Sequence, residues 1–171
     1  MAEFQIRDTT RNDFVSIKRL NDDFVKFTSP MDLARIEQLH NLSAYHRVIE
    51  QVNQQSSEKS IVGFLLAMRP ATEYLSDNYQ WFDLRYKNFL YIDRVVIAAS
   101  MHGIGLGRRL YDDIFAFARS QKIGHLCCEY NLIPANPVSA AFHQSYDFHQ
   151  VGRLHSDDQS KIVSMQIANA M

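Results

Sequence analysis

At 171 residues the chain is long enough to bury about 70% of its unfolded surface, so one domain spanning residues 1–171 with a sizeable core is expected. Hydrophobic residues at 46% against 22% charged, with six glycines and four prolines, exclude disordered, collagenous and solenoid chains. Eighteen Lys and Arg against 19 Asp and Glu leave a formal charge of -1, which removes the basic footprint of phosphate-backbone binding, so no nucleic acid partner is expected.

The N-terminal stretch MAEFQIRDTTRNDF has no apolar core behind a basic start, and no run approaches a membrane span. A cytoplasmic location without a membrane partner is the expectation. Cys127 and Cys128 are adjacent, which suits neither a long disulfide loop nor a metal-ligand spacing, so both read as reduced core thiols and no metal is expected.

In chain order, Phe4 to Arg7 is a strand candidate. From Thr10, the spacing of Phe14, Ile17, Leu20, Phe24 and Phe27 predicts an amphipathic helix that runs to Pro30. A second helix is predicted over Met31 to His40. Tyr45 to Val52 and Ile61 to Met68 read as strands joined through the polar run Asn53 to Ser60. Residues 70–87 hold Tyr74, Tyr79, Trp81, Phe82 and Tyr86 without a clean period and read as a long loop. Phe89 to Ala98 is a strand, Leu106 to Phe117 a helix, and His125 to Tyr130 a strand. Asn136 and Pro137 supply an N-cap and a first-turn proline for a helix through Tyr146. Phe148 to Leu154 and Lys161 to Ala168 close the chain as strands. The sum is a mixed α/β (α+β) chain with a mostly antiparallel sheet.

His102, Gly103, Ile104, Gly105, Leu106 and Gly107 stand between a strand and a helix, where backbone N–H groups and the positive helix end can converge on an anion. The glycines alone fit a tight structural turn equally well. A dinucleotide fingerprint needs G-x-G-x-x-G directly after its strand, whereas here the five residues Ala98 to His102, counted from Ile97, precede the first glycine and the order is G-x-G-x-G. No Gly-Lys-Ser/Thr follows, so the turn is not a P-loop.

The segment RVVIAASMHGIGLGRRLY resembles the acyl-CoA-binding motif of the GNAT superfamily of N-acyltransferases. His102 stands where that family carries Arg or Gln, and Gly105 and Gly107 match its small residues. NPVSAAFHQSYDF is similar to the family's second block, with Asn136, Ser139, His143 and Phe148 at its Asn, Ala, Tyr and Phe positions. The resemblance implies a single GNAT-like domain with a twisted sheet of six to seven strands and about four helices. It implies that acetyl-CoA is the cosubstrate, with its pyrophosphate on His102 to Arg108, its pantetheine arm along Val95, Val96 and Ile97, and Asn136 in contact with it beside Ser139.

What the resemblance implies chemically is acetyl transfer to a primary amine of a small molecule, amino acid or peptide by direct attack in a ternary complex. His143 takes the place of the tyrosine that protonates the leaving sulfur. Asp93 is the base candidate, on one strand face with Tyr91, Val95 and Ile97 if the pleat is regular. The acids Asp22, Asp23, Asp32, Glu73, Asp77 and Asp83 fall on segments that by position wall the acceptor, where they would suit a cationic amine, but they read first as solvated surface charges. A silent CoA-sensing or protein-interaction domain is the alternative, and a homodimer is left open.

Overall fold

A computed structural model describes residues 2–157 and 160–171. Strand β1 covers Ala2–Asp8 and is followed by the 3-10 turn Arg11–Asp13 and helix α1, Phe14–Asp23. Helix α2 is Leu33–Leu42, with strands β2 (Tyr45–Asn53) and β3 (Lys59–Met68) after it. Helix α3, Asp77–Asp83, precedes strand β4, Phe89–Ile97. Helix α4 (Leu106–Ser120), strand β5 (His125–Ile133), helix α5 (Pro137–Gln144) and strands β6 (His149–His155) and β7 (Ile162–Asn169) complete the chain.

The strands form a seven-stranded sheet in the order β1-β2-β3-β4-β5-β7-β6. The ladders β1–β2, β2–β3, β5–β7 and β6–β7 are antiparallel, while β4–β5 is parallel, so the sheet is mixed as expected. The parallel ladder pairs only Phe89, Leu90 and Tyr91 with His125, Leu126 and Cys127, three residues of a nine-residue strand.

The chain divides into two compact units, Met1–Met68 with Asp93–Ile114, and Arg69–Ile92 with Phe115–Met171. In the first, Ile17 and Leu20 of α1, Ile36 and Leu39 of α2, and Val48, Ile49, Phe64 and Leu65 of β2 and β3 are all buried. Each such side chain removed from water contributes about 1.5–3 kcal/mol before the entropy of ordering is counted. In the second, Tyr79 and Phe82 of α3, Phe89 and Tyr91 of β4, Leu126 of β5 and Met165 of β7 are buried, with the Tyr79 and Tyr91 rings edge to face at 5.6 Å.

Two expectations from sequence periodicity are corrected. The first helix does not run to Pro30; α1 ends at Asp23, and Phe24 leaves the helix at φ -120. The cause is Asn21, whose Nδ2 donates to the Ser29 carbonyl at 2.9 Å while its Oδ1 accepts from Arg94 Nη1 at 3.0 Å. That buried pair draws residues 24–29 back across the helix end, and Arg94 fixes it further by donating to Ser29 O at 3.1 Å. The aromatic stretch 70–87 is not a loop throughout, because it contains α3, capped by Ser76 and anchored by the buried Tyr79 and Phe82 three residues apart. Five α-helices therefore occur among the described residues. Cys127 and Cys128 are buried free thiols, as expected, and burial pushes both above the ordinary thiol range.

Candidate active site

The first unit carries the strand end and the glycine turn. Exposure at the end of β4 alternates, with Val95 and Ile97 half-buried and Val96 buried, and the strand period of two places Asp93 on the face of Val95 and Ile97. Asp93 is held by its neighbour, with Arg94 Nε donating to Oδ2 at 2.6 Å and both side chains 6% exposed or less. Arg94 in turn reaches Asn21 and Ser29, so the carboxylate is tied through one guanidinium to the end of α1. On the neighbouring strand, Gly63 lies so close to β4 that an added Cβ would sit 2.6 Å from Ile97 Cδ1 and 3.0 Å from the Val96 carbonyl oxygen.

After β4, a 3-10 turn at Ala99–Met101 leads into the glycine turn. The His102 amide donates to the Ala99 carbonyl at 3.3 Å. Its ring lies 2.8 Å from the Ile97 carbonyl through Nε2, which must carry the proton because a carbonyl only accepts. The same ring lies 5.6 Å from that of Phe24, so the side chain at the head of the turn folds back toward the strand.

Gly103 and Gly105 follow at φ 82 and 84, left-handed conformations that a side chain would strain, and a Cβ on either would meet nothing within 4 Å. Among the described residues, the amides of Gly103, Ile104, Gly105, Leu106 and Gly107 donate to no protein acceptor. They head a 15-residue helix whose dipole places partial positive charge at that end. Arg108 is exposed beside them, and Arg109 Nη2 donates to the Phe4 carbonyl at 2.8 Å. Five consecutive unpartnered donors with open space around two glycines suit an anionic group such as a pyrophosphate.

The second unit carries α5. Asn136 caps it as expected, its side chain accepting from the Ser139 amide at 3.2 Å, with Pro137 at the first helical position. Ser139 then meets His143 one turn on, its carbonyl oxygen 2.7 Å and its hydroxyl 3.2 Å from Nδ1. The chain Asn136, Ser139, His143 is thus joined by side chain and backbone along one helix face. The carbonyl again fixes the tautomer, so Nδ1 carries a proton and a neutral ring presents Nε2 as an acceptor.

His143 is 5% exposed, lies 5.8 Å from Tyr130 in a stacked arrangement and meets Phe148 edge to face at 5.2 Å. Burial lowers its pKa below the ordinary histidine value, opposed by the Ser139 carbonyl. A second group in this unit is invisible to local pattern: Glu129 Oε1 accepts from Asn78 Nδ2 at 2.8 Å and from the Tyr91 hydroxyl at 3.0 Å. Those three residues come from α3, β4 and β5, and no local spacing joins them.

The predicted residues therefore fall into two constellations, Asp93 to Arg108 in one unit and Asn136 to His143 in the other. Three of the six expected acids are occupied locally. Asp22 pairs with Lys18 at 2.5 Å, Asp32 caps α2 through the Arg35 amide at 2.7 Å, and Asp83 accepts from the Ala71 amide at 2.8 Å.

The chain is a mixed α/β sheet whose parallel β4–β5 ladder stops after three residues, with an amide-rich turn opening the helix that follows β4, an arrangement that suits an anionic ligand. Residues 14–148 match the model of the acetyltransferase (GNAT) family, and the chain belongs to that family, whose enzymes use acetyl-CoA. It is thus an acetyltransferase by family and by fold.

Solved structures agree in fold at low identity. Ard1 from Thermoplasma volcanium is 17% identical with a TM-score of 0.74, and 98% of each chain is covered. NAA60 from Arabidopsis thaliana, solved in complex with a bisubstrate analogue, is 14% identical with a TM-score of 0.73 over 98% of each chain. A chain of the NatC complex bound to Gag peptide and CoA is 14% identical with a TM-score of 0.72 over 98% of each chain. No curated protein sequence matches. Among the described residues, no helix is long and apolar enough to cross a membrane.

Proposed function

We propose that the chain transfers an acetyl group from acetyl-CoA to a primary amine of a small molecule, amino acid or peptide by direct attack in a ternary complex. The observation that carries this reading is the run of unpartnered amides from Gly103 to Gly107 at the head of α4. The amine lone pair attacks the thioester carbonyl carbon, a C–N bond forms, the C–S bond breaks, and CoA leaves as a thiolate. The nitrogen must lose a proton and the sulfur must gain one.

In this reading His102 to Arg108 bind the pyrophosphate, chiefly through the amides from Gly103 onward, and Arg108 adds its charge. The backbone of Val95, Val96 and Ile97 takes the pantetheine arm, while Asn136 and Ser139 contact the cosubstrate at the head of α5. Asp93 accepts the amine proton, directly or through water. His143 donates from Nε2 to the thiolate while Nδ1–H stays on the Ser139 carbonyl, so the working acid is the doubly protonated ring. Burial makes that imidazolium a strong acid and a scarce one at neutral pH.

Acetyl-CoA at about 100 times its dissociation constant is expected to add about 2.7 kcal/mol of stability, read as a rise in melting temperature of roughly 2–4 °C per kcal/mol. CoA release over a panel of amines then measures transfer. Asp93→Asn is expected to lower turnover by about 10²–10⁴, with activity recovering as pH rises and the amine deprotonates in solution. A protein that binds acetyl-CoA but releases no CoA with any amine would contradict the proposal and favour a CoA sensor.

A further inference from the structure

The carbonyl oxygen of Ile97, the last residue of β4, already holds a side-chain donor. Strand β4 lies between β3 and β5, and its ladder to β5 ends at Tyr91. The Ala98 amide donates to the Val62 carbonyl of β3 at 2.8 Å, and the Val96 carbonyl oxygen also faces β3, 3.0 Å from where a Cβ on Gly63 would stand. Main-chain groups of successive strand residues point to opposite edges, so those of Val95 and Ile97 point to the edge that β3 does not use. A ligand amide can add to such an edge as an extended peptide does. At Ile97 that acceptor is taken, because His102 Nε2 donates to it at 2.8 Å.

The ring is seated there from one side only. His102 is exposed, and its ring centroid lies 5.6 Å from that of the half-buried Phe24. Phe24 is itself held, its amide donating to the Asn21 carbonyl at 3.1 Å and its carbonyl accepting from the Phe27 amide at 2.8 Å. Phe24, Ile97, His102 and the glycine turn all belong to the first unit. An exposed side chain changes rotamer within nanoseconds and without unpacking a core. His102 stands one residue before Gly103, the first unpartnered amide of the turn, so its N–H can leave the strand edge for an anion seated on those amides.

We infer that His102 is a latch on the Ile97 carbonyl and makes the site select thioesters that carry a diphosphate. With the ring on Ile97, a pantetheine amide approaching that oxygen meets a donor already in place. With a diphosphate on the turn, the ring releases Ile97 and donates to a phosphate oxygen, and the freed carbonyl accepts from the pantetheine arm. A thioester of pantetheine alone gives the displaced ring only water in exchange, so it binds at the cost of the broken contact. The inference rests on the acetyl-CoA reading above and assigns to the His102 side chain a discrimination that the turn amides do not supply.

Calorimetric titration of acetyl-CoA and of S-acetylpantetheine, each without an amine, tests it. In His102→Ala, S-acetylpantetheine is expected to bind about threefold tighter and acetyl-CoA about threefold weaker, so that the preference for the diphosphate falls about tenfold, the scale of one net hydrogen bond. Phe24→Ala removes the seat and leaves the ring, so S-acetylpantetheine should again tighten about threefold while acetyl-CoA affinity does not fall. An unchanged preference in His102→Ala, an equal loss for both ligands, or tightening in neither variant overturns the latch. Both readouts are of binding and stand apart from turnover. The expected shifts without CoA release to any amine support the latch and refute the transfer, whereas a wild-type protein that binds neither ligand refutes both.

Discussion

The glycine turn and helix α5 solve their tasks with opposite materials. The turn offers main-chain amides, is exposed, and depends on side chains only through the two glycines that must have none. Helix α5 offers one imidazole, 5% exposed, whose tautomer is set by a carbonyl one turn earlier and whose pKa is lowered by burial. The comparison teaches that a backbone site is specified by conformation, whereas a side-chain site is specified by its surroundings. It also explains why a histidine at the head of the turn is compatible with an anion site, since the five unpartnered amides begin one residue later.

The largest effect expected to break this contrast is on turnover. His143→Ala is expected to lower kcat by about 10²–10⁴ while acetyl-CoA affinity stays within a few fold. Because the acid form needs a second proton, the dependence on His143 weakens as pH rises above its folded pKa, which lies below the usual value of about 6.5. Wild-type kcat and a parallel pH profile in His143→Ala would remove this residue from the acid role.

A smaller effect of opposite character is expected at the turn. Gly105→Val forces a β-branched residue to φ near 84, a conformation that costs about 1–2 kcal/mol in an L residue, and places methyl groups beside the amides. Acetyl-CoA affinity should fall tenfold or more, as measured by ligand-induced thermal shift. Unchanged affinity would show that the turn is merely a connection between β4 and α4.

The smallest effect sharpens what burial does to a histidine that has no assigned chemistry. His46 on β2 is 7% exposed, its Nδ1 lies 2.9 Å from His40 Nδ1, and burial first and the charge of His40 second push its pKa down to about 3, opposed by Asp13. Its folded pKa lies below the unfolded one, so between pH 6.5 and 3 the unfolded chain binds more protons and stability is lost as pH falls. The expected slope is about 1.4 kcal/mol per pH unit, and His46→Gln should remove it between pH 6.5 and 5, above the main carboxylate range. Denaturant unfolding across that range checks it. A slope unaltered in His46→Gln would assign the pH dependence to other groups, His143 among them.

Much of the element order follows from local chemistry. Asn136 and Pro137 announce the start of α5, the stripe Leu106, Leu110, Ile114 marks α4, and the apolar run Ile61 to Met68 is a strand buried along its length. Where periodicity misleads, the cause is a partner distant in sequence. The stripe that passes Phe24 and Phe27 continues in spacing, but Asn21 and Arg94, 73 residues apart, end the helix. Helix α3 escapes notice because seven residues carry less than two full turns of pattern.

By itself the sequence determined the glycine turn, its place between a strand and a helix, and the second block with Asn136 and His143, because backbone freedom, caps and spacing are properties of neighbours along the chain. Only the tertiary structure decided that Asp93 is bound to a buried Arg94 and that His143 is enclosed by aromatic rings with its Nδ1 on a carbonyl. Protonation, pairing and enclosure depend on dielectric and distance across elements remote in sequence, and those are established only when the chain is folded.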